Sequence, residues 1–98
     1  MENALHFLTD SDEKFADLKA ELENADILRH RVRSRVFLLS EGTVAVREAL
    51  ADTHADTCEA DREYINALEA FEKIKAKRQR ADMTCELFRT MEASRRRG

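Results

Sequence analysis

Five bases in eight positions, KIKAKRQR from Lys73 to Arg80, stand in a chain whose formal net charge is −3. Such a run grips a polyanion when it faces outward and neutralises carboxylates when it faces an acidic neighbour. The other side chains that could do chemistry are three histidines, two cysteines and scattered acids. His6, His30 and His54 are far apart in sequence. None forms the His-x-x-x-His pair that puts two imidazoles on one helical face for a metal. Cys58 and Cys85 have no Cys-x-x-Cys spacing, which supports neither a zinc ligand set nor a disulfide framework; both are expected reduced, in or beside the core. Glu21 and Glu23, like Asp61 and Glu63, lie two apart and project from different helical faces, which makes no acid–base dyad. No Ser-His-Asp or Cys-His arrangement and no glycine-rich phosphate loop can be picked out. The expectation is a non-enzyme with no catalytic residue, metal, cofactor or small-molecule substrate.

The elements that must position the bases are helices. The 98 residues include no Pro and only two glycines, Gly42 and Gly98, and 38% of them are charged, a composition that belongs to long helices or coiled coils. Asp10 followed by Glu13 has the spacing of a capping box, so a helix is expected over about 11–41, ended by Gly42. Along it Phe15, Leu18, Leu22, Ala25, Leu28, Val32, Val36 and Leu39 recur every three or four residues. Thr43 can cap a short helix over about 44–51. Asp56 and Glu59 again have capping-box spacing, opening a helix over about 57–94. Its stripe runs through Ala60, Tyr64, Ala67, Phe71, Ile74, Arg78, Ala81, Cys85 and Phe88, with Arg78 standing where a large aliphatic would fit. The stretch ALHFL, residues 4–8, is expected to add a turn of helix against the end of the rod.

The fold class expected is all-α, one domain over 1–98: an antiparallel hairpin of two long helices with a short connector helix and a basic tail at 95–98. Two helices touching along one line bury little, so the hairpin is expected to dimerise into a bundle through these same apolar positions. No apolar run approaches the roughly 20 residues that cross a bilayer, and MENALHFLTDSDEK lacks the flank and apolar region of a secretory signal. A cytoplasmic protein with no membrane partner is expected.

Charge is arranged in blocks. Residues 9–26 carry net −5 and residues 29–35 net +4; residues 47–72 carry net −6 and residues 73–80 net +5. If the chain folds back at about residue 50, KIKAKRQR falls beside ELENAD, and RHRVRSR beside Glu63, Glu69 and Glu72. On that reading the charges set register and direction. The alternative is outward contact with DNA or a protein partner through Lys73, Lys75, Lys77 and Arg80, joined by Arg95, Arg96 and Arg97 in the tail. The tail arginines also suit the negative end of a helix dipole. With a pI near 5.6 the chain as a whole is no general nucleic-acid binder.

Three stretches, FLTDSDEKFADLKAELE, FLLSEGTVAVREA and FEKIKAKRQRADMTCELFRTMEASRRRG, together resemble short, all-helical bacteriophage and prophage proteins encoded in the early region near recombination and replication genes. The resemblance spans nearly the whole chain through loose helical patterns. It implies a bacterial host cytoplasm and an accessory to DNA transactions, with Arg95, Arg96 and Arg97 meeting DNA or a DNA-bound protein. Two other functions fit the residues: a small inhibitor of the anti-CRISPR kind whose acidic faces mimic phosphate, and a structural coiled-coil adaptor whose charges all serve pairing.

Overall fold

A computed structural model describes residues 2–97, and the last tail residue expected above, Gly98, lies outside them. Four helices follow in order: α1 (Glu2–Asp10), α2 (Asp12–Leu39), α3 (Val44–Thr53) and α4 (Ala55–Arg97). Helices lacking Pro and rich in Ala, Leu, Glu, Lys and Arg have little reason to break, and at 43 residues α4 runs for about 65 Å. The molecule is correspondingly long, 76 × 22 × 14 Å.

The long helix expected from the capping-box spacing begins at Asp12, and a separate helix, α1, precedes it from Glu2. Asp10 ends α1, and Ser11 joins α1 to α2 with helical backbone angles, donating its N–H to the Phe7 carbonyl at 2.9 Å and accepting from the Phe15 N–H at 2.8 Å. No side-chain cap forms there, where the backbone stays helical through Ser11, and the Ser11 hydroxyl instead accepts a hydrogen bond from Arg78 across the interface at 2.7 Å. The residues of ALHFL lie within α1, which packs on α4. At the other end the helix stops at Leu39; the Ser40 hydroxyl donates to the Val36 carbonyl at 2.6 Å, and Gly42 takes φ +117°. Thr43 caps α3 as expected, its hydroxyl accepting from the Val46 N–H at 3.3 Å. The cap of α4 is His54 instead of Asp56: its Nδ1 accepts from the Asp56 N–H at 3.0 Å.

Partners across the long interface run in opposite order along α2 and α4. Asp12 meets Arg78, Phe15 meets Phe71 with ring centroids 5.3 Å apart, and Arg29 lies over Tyr64, 4.0 Å from its ring centroid. The chain turns back at Ser40–Thr43, earlier than residue 50, because α3 already runs back along α2. Asp52 pairs with Arg33, and Arg47 donates to the Phe37 carbonyl at 3.1 Å. This displaces the expected register. Lys73–Lys77 lie beside Phe7–Leu18 and not beside ELENAD.

Burial follows a heptad-like stripe in α4 from Thr57 through Ala60, Ile74, Ala81 and Cys85. In α2 the stripe steps from Ala25 to Arg29, Val32 and Val36, leaving Leu28 46% exposed; Leu39, beyond the last buried turn, is 78% exposed, and Phe88 in α4 is 40% exposed. Arg29 is half-buried in the seam, while its neighbour Leu28, about 100° round the axis, turns outward. The long arginine keeps its place by stacking on Tyr64 and holding Asp26 at 2.7 Å, which raises the guanidinium pKa above its ordinary value. Small residues close the corner of α2, α3 and α4, where Val36, Ala51, Thr57 and Ala60 are buried and the Thr57 hydroxyl has no hydrogen-bond partner.

Candidate functional site

Arg78 divides the basic run into residues that build the fold and residues that do not. Its guanidinium donates to the Leu8 carbonyl at 3.0 Å, to the Ser11 hydroxyl at 2.7 Å and to the Asp12 carboxylate at 2.7 Å, and it covers the Phe15 ring at 4.9 Å from the centroid. One planar fork thus ties the end of α1, the α1–α2 joint and the first turn of α2 to α4. Beyond this point α2 has ended and only α1 can cover α4, which places Ala81 and Cys85 under α1.

The other bases of the run stay outside this junction. Lys73 pairs with Glu69 of its own helix at 2.8 Å, and this partner holds the Glu69 carboxyl below the usual carboxylate range, first by hydrogen bonding and then by charge. Lys75 lies on the opposite flank, its Nζ 6.0 Å from the Phe71 ring centroid. Lys77 and Arg80 are exposed and have no ion-pair partner among the described residues. The helix runs on past the expected end at about 94, so that residues 95–97 of the basic tail form the last turn of α4; Arg95 pairs with Glu92 at 2.6 Å, while Arg96 and Arg97 are exposed and unpaired among the described residues. About 22 Å of helix separates Arg80 from Arg95. The expected charge pairing is therefore sparse. Among the described residues, the ion pairs between helices are Arg33 with Asp52 and Arg78 with Asp12, and Glu63, Glu69 and Glu72 take no base from RHRVRSR.

The chain matches no protein-family model, no curated protein and no solved structure.

Two concave features flank the basic run among the described residues, a smaller one lined by Leu8, Phe15, Lys75 and Arg78 and a larger one on the side of Lys73 and Lys77. The larger, a groove of about 460 Å³, opens between α1, α2 and α4. Phe7, Leu18 and Ile74 line its floor; Lys14, Lys73 and Lys77 stand at its rim with Asp10. Lys14 and Phe7 were not singled out by sequence reasoning, because they reach Lys73 and Lys77 only once α1 and α2 lie along α4. The arrangement offers ammonium groups around apolar area, which suits binding. Among the described residues, no group of three or more His, Cys, Asp or Glu converges as a metal site would, and no helix is long and apolar enough to cross a membrane.

Proposed function

We propose that the chain is a non-enzymatic helical accessory, a hairpin that pairs with a second copy and engages DNA or a DNA-processing protein through the basic second half of α4. The observation that carries this reading is the division of its bases: Arg78 is bound inward, whereas Lys77, Arg80, Arg96 and Arg97 face outward without a carboxylate partner among the described residues. In a protein of net charge −3, bases left free on one helix are a local electrostatic footprint. The resemblance to phage early-region proteins supports recombination or replication in a bacterial cytoplasm as the setting. Pairing is supported by Leu87 and Met91, which extend along α4 with more than half their surface exposed.

The test is fluorescence anisotropy of labelled single- and double-stranded DNA over a salt series, comparing the intact chain with an Arg95, Arg96, Arg97→Ala triple variant. Affinity should fall steeply with salt, and the variant should flatten the log–log slope by about 0.9 for each duplex phosphate that it no longer neutralises. Absence of binding at low salt overturns DNA contact. A second reading, the phosphate-mimicking inhibitor, draws on Glu13, Asp17, Glu21 and Glu23, which are exposed on α2 without a base among the described residues. It requires binding to a basic protein and none to DNA.

A further inference from the structure

The groove and the C-terminal half of α4 belong to one flank. Lys73, Lys77, Arg80, Leu87, Met91 and Arg95 recur at intervals of three, four or seven, one helical position away from the seam formed by Ile74, Arg78, Ala81 and Cys85. The seam is used within the chain and this second stripe is exposed. At its N-terminal end the stripe borders the groove, where Lys14 adds a further ammonium and Phe7 and Leu18 supply half-buried apolar surface. Lys73 is neutralised by Glu69, and Asp10 is the single acid among the residues lining the groove, so Lys14 and Lys77 leave its rim positive.

An apolar floor under a positive rim is a poor seat for a bare phosphate backbone, which has nothing to bury. It is a good seat for a helix that carries apolar side chains on one face and carboxylates beside them. The groove end of the flank is a poor seat for the same stretch of a second copy, because Lys73, Lys77 and Arg80 would then stand against the rim lysines; Leu87 and Met91 lie beyond the groove.

We propose that the groove between α1, α2 and α4 docks an acidic amphipathic helix of a partner protein, with apolar side chains on Phe7, Leu18 and Ile74 and carboxylates at Lys14 and Lys77. The volume lies in the range of concave recognition sites, enough for the few anchoring side chains of a groove-bound helix. This goes beyond DNA contact at the C-terminal arginines and does not depend on it, since Lys14 and the groove floor take no part there.

The experiment is selection of displayed 16-residue helix-forming peptides, randomised at every position, on the purified full chain. Labelled winners are then titrated by anisotropy. Enriched peptides should carry Leu, Ile or Phe three, four and seven residues apart, flanked by Asp or Glu. The Lys14→Glu, Lys77→Glu double variant should bind them at least tenfold more weakly. Both lysines are exposed and unpaired among the described residues, and unchanged circular dichroism would confirm that this variant folds. Lys75→Glu on the opposite flank and the Arg95, Arg96, Arg97→Ala triple variant should each stay within twofold of the intact chain, which separates this site from the DNA reading. The proposal is overturned by enrichment of acids without apolar spacing, by enrichment of basic peptides or of none, or by undiminished binding to the double variant. It is equally overturned if the double variant turns a dimer into a monomer in light scattering, because a second copy then fills the groove.

Discussion

At the scale of single residues, Arg78 is the position on which most depends. Its side chain is 22% exposed and reaches three acceptors and a ring, so Arg78→Ala should destabilise the chain by about 1.5–3 kcal/mol in urea unfolding, the range for hydrogen bonds to charged groups. Arg78→Lys keeps the charge without the fork and should recover less than half of that. The local consequence is separable from the global one. Cys58 is exposed and Cys85 is buried beneath α1, so a thiol reagent should modify one cysteine quickly and the other slowly. In Arg78→Ala the slow rate should rise at least tenfold; an unchanged rate would mean that α1 holds to α4 without the arginine. Glu69 makes a smaller prediction. Because its folded pKa lies below the unfolded one, its pairing with Lys73 stabilises the helix above the unfolded carboxylate pKa and is lost as pH falls through the folded value. In Lys73→Met, an NMR titration of the Glu69 carboxyl carbon should shift back up toward the ordinary carboxylate value.

At the scale of elements, the reversal after α2 rests on Gly42. A Cβ at φ +117° would be strained and would lie 3.2 Å from Val46 Cγ1, so Gly42→Ala should lower stability by about 1–2 kcal/mol. Amide exchange should report the loss first in α3, whose only buried residue is Ala51. The start of α4 makes the opposite prediction. Thr57 is 1% exposed with an unpartnered hydroxyl, and an unmade buried hydrogen bond costs about 1–3 kcal/mol. Thr57→Val fills the same space without the polar group and should raise the urea midpoint; a fall would show that the hydroxyl is satisfied in solution. Element boundaries also show where sequence signals misled. Asp10–Glu13 and Asp56–Glu59 have capping spacing, yet neither caps its helix, because Asp10 lies inside α1 with the backbone helical on through Ser11, and His54 precedes Asp56 with an acceptor already in place.

For the whole molecule, length outruns core. Its Cα radius of gyration is 21.6 Å, against about 13 Å for a compact domain of this size. Such a shape leaves large apolar side chains exposed at both ends, Leu38, Leu39 and Val44 at one and Leu87, Phe88 and Met91 at the other. Light scattering after gel filtration should give twice the 11.3 kDa chain mass, and the thermal midpoint should rise with protein concentration. A monomeric mass with a concentration-independent midpoint would sink the proposed pairing.

Helix class and the apolar periodicity were legible along the chain, because three-to-four spacing and the lack of proline act over a few residues at a time, whereas for Lys77 and Arg80 the sequence left inward pairing and outward contact both open. The seam was less so. Leu28 and Arg29 are one position apart, and only the presence of Tyr64 opposite decides that the arginine takes the place. The same holds for Arg78, an anomaly in a stripe until Leu8, Ser11 and Asp12 come to meet it. Register, the turn at Gly42 and the meeting of Lys14 with Lys77 follow from packing between segments tens of residues apart. That packing is summed over the whole interface, and local sequence does not encode it.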